Sequence, residues 1–191
     1  MLATAPISVT PEEIYIQLMA SRRAIPIQET LARMLSSWSL GIGALPNYLG
    51  LSKDDFEHMM ALYFPGYDLN NFKLSGKPFD VARFDEAEDL RKLLLENRTN
   101  QSLVEQWMAD IVIAGCMGSN HLWQDLGLWN RNELSCLMLE NFKPLAKRNN
   151  KDMKWKKFLY KQLCESEGIY VCRSPSCEVC TDYQNCFGPE D

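Results

Sequence analysis

The residues with the clearest chemical potential are four cysteines near the end of the chain. They follow the spacing Cys-x4-Cys-x2-Cys-x5-Cys and are Cys172, Cys177, Cys180 and Cys186. Thiolates select soft metals, so four of them on a short segment indicate a zinc ion or an iron–sulfur cluster. The N-terminus has no basic start and apolar core of a secretory signal, and in a reducing cytosol such a cluster is more often a metal site than a disulfide framework.

The spacing favours an iron–sulfur cluster over zinc. A zinc ribbon usually contributes two Cys-x2-Cys pairs, whereas this segment has one such pair, Cys177 and Cys180. The run Cys-x4-Cys-x2-Cys also matches the first three ligands of plant-type ferredoxins. The fourth ligand of those proteins lies far downstream, however, and the β-rich fold that surrounds it is not expected here. Zinc therefore stays open as the alternative metal.

Outside this cluster, His121 and Cys164 are candidates for additional metal ligands. An imidazole can complete the coordination of a metal, although a histidine just past an apolar helix is also a typical capping or core residue. Cys164 falls on the last turn of a predicted helix, where a cysteine is more often a small packing residue. Cys116 and Cys136 have apolar neighbours and are predicted to be core residues, while His58 is predicted to lie at the surface.

The charge of the chain is arranged in blocks. The net charge of the 191 residues is -5. Residues 142–164, the basic segment, hold eight Lys or Arg and one Asp, a net of +7; residues 165–191 hold one Arg and six Asp or Glu, a net of -5. We expect the basic segment to be a solvated helix face, to attract an oxyanion, or to dock on an acidic partner. Nucleic-acid binding is disfavoured because the whole chain is acidic.

Most of the sequence is predicted to be helical, because apolar residues recur at helical spacing between capping signals. The first helix starts at Thr10-Pro11-Glu12-Glu13, which combines a side-chain cap, a proline and a capping-box glutamate. Six more helices are expected at about 27–40, 52–63, 81–96, from 103, 131–139 and 152–164, with a loop over 65–80. No segment shows the alternation of a strand.

The fold prediction is therefore all-α: a single domain of about seven helices over residues 1–164, followed by a cysteine-rich, loop-like metal-binding tail over 165–191. The tail crowds thiolates and carboxylates together, so we expect it to be disordered without metal and to order on cluster binding. The longest apolar run, Ile111–Met117, is too short to cross a membrane. A cytoplasmic protein is expected. No Walker loop, Ser-His-Asp series or HExxH motif indicates an enzyme.

Three stretches resemble the NifQ proteins of nitrogen fixation. They are MGSNHLWQDLGL (Met117–Leu128), LAKRNNKDMKWKKFLYKQLC (Leu145–Cys164) and CRSPSCEVCTDYQNCFGPE (Cys172–Glu190). The cysteine spacing followed by Phe-Gly-Pro-Glu is the signature of that family. The resemblance covers roughly residues 116–191, while the first 115 residues add a helical body but no motif.

The resemblance implies a molybdenum donor, not a catalyst. Proteins of this kind are thought to carry a molybdenum–iron–sulfur cluster and to supply molybdenum for the iron–molybdenum cofactor of nitrogenase. The implied cofactors are an iron–sulfur cluster of the 3Fe–4S or 4Fe–4S type and a molybdenum ion, with molybdate or another molybdenum source as the supply. The implied partners are the nitrogenase iron protein and the cofactor scaffold complex. An iron–sulfur electron-transfer or redox-sensing protein and a zinc-stabilised interaction module are the alternatives.

Overall fold

The computed structural model of the protein describes residues 9–72, 84–166 and 183–190. Within these ranges the chain forms ten α-helices, two 3-10 helices and no strand, which confirms the all-α class. The 3-10 helices are Asn47–Gly50 and Leu69–Asn71. The α-helices are α1 Pro11–Ala20, α2 Gln28–Ser39, α3 Lys53–Tyr63, α4 Phe84–Glu96, α5 Leu103–Cys116, α6 Leu122–Asp125, α7 Arg131–Asn141, α8 Lys143–Ala146, α9 Trp155–Ser166 and α10 Tyr183–Phe187.

The seven helices of ten or more residues are those that the sequence predicts. Helix α1 begins with the expected capping box: the Glu13 backbone N–H donates to the Thr10 hydroxyl at 3.4 Å, and the Glu13 carboxylate accepts from the Thr10 backbone N–H at 3.1 Å. Helix α5 begins in the same way, with Ser102 and Glu105 in the two roles. These reciprocal bonds satisfy backbone donors that a helix start leaves without partners.

The short helices α6, α8 and α10 depart from the prediction. Each has only four or five residues, which is too few for a helical period to stand out from the sequence. Helix α10 corrects the expectation of a loop for the last part of the tail. Residues 167–182 lie outside the described part of the chain, so the order of the tail and its division from the body at 164/165 stay predictions.

Helix α5 lies at the centre of the body. Its second half, from Ile111 to Cys116, is buried on all sides, and it packs against α4 and α6. A Cβ at Gly115 would lie 2.7 Å from the Leu126 side chain, so the absence of a side chain at this position allows α5 and Leu126 to approach closely. The approach fixes the segment that carries His121 against the core.

Helix α9 is held on the body by its aromatic residues. Trp155 and Phe158 are buried, and Tyr160 packs against the same core. The Trp155 indole N–H donates to the Ser135 hydroxyl at 3.2 Å, which joins α9 to α7. Among the described helices, none is long and apolar enough to span a membrane.

Candidate metal centre

The four predicted cysteine ligands divide between described and undescribed parts of the chain. Cys186 lies on α10, where it is partly buried against the core. Cys172, Cys177 and Cys180 fall in 167–182, outside the described residues. Within 9–72, 84–166 and 183–190 no three His, Cys, Asp or Glu side chains are placed to hold a metal ion. The four-thiolate centre therefore stays a prediction, and the structure defines the support of one of its ligands.

Helix α10 is bonded to Lys154, which directly precedes α9. The Cys186 carbonyl accepts a hydrogen bond from the Lys154 backbone N–H at 2.8 Å. The Lys154 ammonium donates to the Gln184 carbonyl at 3.2 Å. Because both bonds reach backbone atoms of α10, they fix the path of the chain at Cys186 whatever the state of its thiol.

A buried carboxylate after α10 adds a second attachment. The Glu190 side chain is 4% exposed and forms an ion pair with Arg131 Nε at 3.1 Å, and His121 Nδ1 lies 3.5 Å from its carboxylate. Arg131 also binds the Asp152 carboxylate at 2.5 Å. This hydrogen bond, aided by the charges of Asp152 and Glu190, raises the pKa of Arg131 against the opposing effect of burial. The guanidinium thus stays charged and links α7, the loop before α9 and the segment after α10.

His121 occupies the N-cap position of α6, as one of the two interpretations of this residue expects. Its backbone N–H donates to the Gln124 side-chain oxygen at 3.2 Å. Its ring is one-third exposed and faces Glu190. The structure therefore brings His121 to the segment that carries Cys186, while its role as a metal ligand stays a prediction.

The remaining cysteines and the second histidine have different surroundings. Cys116 is 2% exposed, which confirms it as a core residue. The prediction that Cys136 is a core residue is wrong, because it lies on the exposed face of α7 between the buried Leu134 and Leu137. Cys164 is partly buried on α9, so both its packing and its ligand interpretations stay open. His58 is exposed as predicted, and its ring lies edge-on to Trp107 at 5.1 Å.

Asp125 and Lys156 form a buried ion pair that sequence reasoning missed. Asp125 is completely buried, and its carboxylate accepts from Lys156 at 2.5 Å and from the Asn120 backbone N–H at 2.9 Å. Lys156 also donates to the Gly118 carbonyl at 2.8 Å. A Cβ at Gly118 would overlap the Asp125 carboxylate, so glycine is needed here. The only sequence signal for this pair was a Gly-Ser-Asn turn at residues 118–120, followed shortly by a single aspartate among apolar residues.

This ion pair changes the interpretation of the basic segment. Lys156 is 18% exposed at its side chain and is used inside the body. Five other cations of the segment are exposed, and they are Lys143, Lys147, Arg148, Lys151 and Lys157. The segment thus combines a structural lysine with a cationic surface.

Together these features define an all-α protein whose cysteine-bearing C-terminal segment is tied to a helical body at both ends, by α9 on one side and by α10 and Glu190 on the other. The chain belongs to the NifQ family, whose family model matches residues 30–188. NifQ proteins are involved in nitrogen fixation.

Curated relatives match most of the chain. It is 44% identical over 170 residues to protein NifQ of Azotobacter vinelandii, which covers 84% of this chain and 87% of the relative. It is 34% identical over 160 residues to protein NifQ of Rhodobacter capsulatus, covering 84% and 87%. It is 32% identical over 170 residues to protein NifQ of Klebsiella pneumoniae, covering 85% and 99%. No solved structure matches the chain.

Proposed function

We propose that the protein is a cytoplasmic carrier that donates molybdenum for biosynthesis of the nitrogenase iron–molybdenum cofactor. Its cargo is a molybdenum–iron–sulfur cluster held by Cys172, Cys177, Cys180 and Cys186. The observation that carries this proposal is the fixed position of Cys186: two bonds from Lys154 hold the backbone of α10. The other three cysteines lie on the stretch that joins this helix to the end of α9.

The donor set suits this cargo. Four thiolates are soft ligands, which favour iron–sulfur clusters over hard cations such as magnesium. Cys186 is partly buried and not enclosed in the core, so a metal bound there is close to solvent and to a partner protein. A carrier needs this accessibility because it must release what it binds.

The proposed carrier acts by binding and transfer, not by catalysis. Its proposed partners are the nitrogenase iron protein and the cofactor scaffold complex. The exposed cations of the basic segment support docking on an acidic partner, because such fields raise the rate of association and make it sensitive to salt. They lie on α8, on α9 and in the loop between these helices. Helix α10 is attached to Lys154, at the end of the same loop.

The decisive experiment is anaerobic quantification of iron, sulfide, molybdenum and zinc in the purified full chain. We expect iron, sulfide and molybdenum in the wild type and loss of iron in Cys172→Ala. The matched control is Cys136→Ala, which removes an exposed thiol from α7 and should retain the full metal content. Iron without molybdenum would support an electron-transfer or redox-sensing protein, and zinc would support an interaction module; either result contradicts the carrier.

The same measurement tests His121 if two variants are compared. In His121→Ala, loss of molybdenum with iron retained would support a ligand role, and unchanged molybdenum would remove it. Because His121 also pairs with Glu190, the comparison variant is Glu190→Gln, which weakens the attachment but leaves the imidazole. A metal loss that is equal in both variants would show that His121 acts through Glu190 and not as a ligand.

A further inference from the structure

A cleft of about 400 Å³ lies between α9, the loop that precedes it, and α10. It is separate from the contacts of Glu190 and contains no residue proposed above as a metal ligand. The side chains that matter here share one concave surface, with a cationic rim and an apolar wall. They are Arg148, Lys151, Phe158, Lys161, Glu165 and Phe187.

The charges of the described side chains that line the cleft do not cancel. Among them, Arg148, Lys151 and Lys161 contribute three positive charges and Glu165 one negative charge, which leaves an excess of two. The Glu165 carboxylate already has partners within α9. It forms an ion pair with Lys161 at 3.6 Å and accepts a hydrogen bond from the Gln162 side-chain amide at 2.6 Å. A ligand with two negative charges would match the excess.

The rim is held in place on one side. Arg148 Nη2 donates to the Asn97 side-chain oxygen at 3.1 Å, and this bond ties the guanidinium to the end of α4. An oriented guanidinium loses less side-chain freedom on binding an oxyanion and presents paired donors to its oxygens. Lys151, exposed in the loop before α9, supplies a second cation to the same rim.

The apolar wall connects the cleft to the cysteine segment. Phe158 is 4% exposed, and Phe187 packs against the same core. Phe187 directly follows Cys186, so the two Cα atoms are about 3.8 Å apart across one peptide bond. Apolar walls displace water and strengthen the attraction between the rim and an anion. A ligand in the cleft would thus lie beside the segment that carries Cys186.

We infer that this cleft binds a small tetrahedral dianion, with molybdate as its ligand. The inference deepens the proposed function, on which its choice of molybdate rests, by giving the molybdenum source a site of its own. The binding step involves no change of oxidation state and no transfer of a group. Sulfate and tungstate share the charge and shape of molybdate. Competition experiments must therefore show which of these anions the cleft selects.

The test is equilibrium dialysis of radiolabelled molybdate against the purified full chain. We expect the double variant Arg148→Ala/Lys151→Ala to bind molybdate at least about tenfold more weakly, since it loses two charge-assisted contacts. The matched control is Lys157→Ala, an exposed lysine of α9 outside the cleft, which should bind within about twofold of the wild type. Circular dichroism and urea unfolding verify that the variants fold.

Competition and a cysteine variant complete the test. Displacement by tungstate, but not by the same concentration of chloride, supports a tetrahedral-dianion site. Displacement by sulfate at a lower concentration than by unlabelled molybdate would make sulfate the ligand and contradict the choice of molybdate. Cys172→Ala should retain molybdate binding even if it loses iron, which separates failure of the cluster proposal from failure of the cleft. Wild-type binding by the double variant, or binding that is lost only in Cys172→Ala, would overturn the inference.

Discussion

Glu190 and Arg131 form an ion pair at 3.1 Å between the segment after α10 and the first turn of α7. Their pairing joins residues that are 59 positions apart in the sequence. The carboxylate is almost completely buried, so it depends on this partner for compensation of its charge. The position of Cys186 is therefore set by the helical body through side chains that are not themselves metal ligands.

Loss of this carboxylate should loosen α10. We expect Glu190→Gln to increase hydrogen exchange at the Lys154 backbone N–H, because that group is bonded to the Cys186 carbonyl. Each 1.4 kcal/mol of lost stabilisation corresponds to a factor of about ten, and an ion pair with a buried carboxylate contributes more than an exposed one, so exchange should rise by about tenfold. The measurement is amide exchange by nuclear magnetic resonance, with Glu12→Gln on the exposed face of α1 as the control. Unchanged protection of Lys154 would show that Glu190 does not hold α10.

Loss of Lys156 should destabilise the whole body. In Lys156→Met the Asp125 carboxylate would stay buried without its cation, and removing one partner of a buried pair costs about 3–5 kcal/mol. The free energy of unfolding is measured by urea titration. The control is Lys157→Met, an exposed neighbour, which should change this free energy by less than about 0.5 kcal/mol.

A second variant separates charge from packing at this pair. Replacing both partners, as Asp125→Asn/Lys156→Met, removes the uncompensated charge and should recover part of the lost stability. A double variant whose free energy of unfolding is no higher than that of Lys156→Met would contradict the electrostatic explanation.

Asp55 should give the protein part of its dependence on acid pH. Hydrogen bonds from the Ser52 hydroxyl at 2.6 Å and the Trp107 indole at 3.0 Å lower the pKa of the Asp55 carboxyl below its usual value of 3.8. A carboxyl with a lowered pKa stabilises the fold above about pH 4, and this contribution is lost as the pH falls through the folded-state pKa.

The measurement is the free energy of unfolding between about pH 6 and pH 2.5. Asp55→Asn should lower this free energy near neutral pH and reduce its loss in acid. Asp54→Asn, whose side chain is exposed one residue earlier, should follow the wild type. An acid dependence that is the same in Asp55→Asn and the wild type would exclude this carboxyl as a source.

Cys136 and Cys116 should react differently with iodoacetamide. Cys136 is exposed on α7, whereas Cys116 is 2% exposed in the core. Alkylation requires access of the reagent to the thiolate, so we expect modification of Cys136 in the folded chain and of Cys116 only after unfolding. Peptide mass spectrometry distinguishes the two sites in one sample, and each serves as the control for the other. Equal protection of both would show that α7 presents a different face.

The long helices could be predicted from sequence because each combines a start signal with a helical period. Thr10 and Glu13 are an example, since both halves of their capping box lie within four residues. Helix α10 could not be predicted in this way, because five residues contain little more than one turn. Cys136 shows a related limit. Apolar and polar residues are poorly separated around α7, so their spacing does not show which side of a turn faces solvent.

The support of the candidate centre was even less predictable. Asp125 and Glu190 are charged residues, and local sequence gives no reason to bury them. Each is buried because it pairs with a cation that is distant in sequence. Lys156 pairs with Asp125, and Arg131 pairs with Glu190. Such pairing is a property of the tertiary structure. The candidate ligands themselves were visible because cysteine spacing is a local feature.

The two attachments of the tail also affect how a metal would be captured. Cys172 is six residues from the end of α9 and Cys180 is six residues from Cys186, a reach of at most about 20 Å of extended chain. Thiols tethered so near a fixed point have an effective concentration on the order of millimolar. Once one cysteine holds a metal, the remaining ligands join it in an intramolecular reaction, whose rate does not depend on how dilute the protein is.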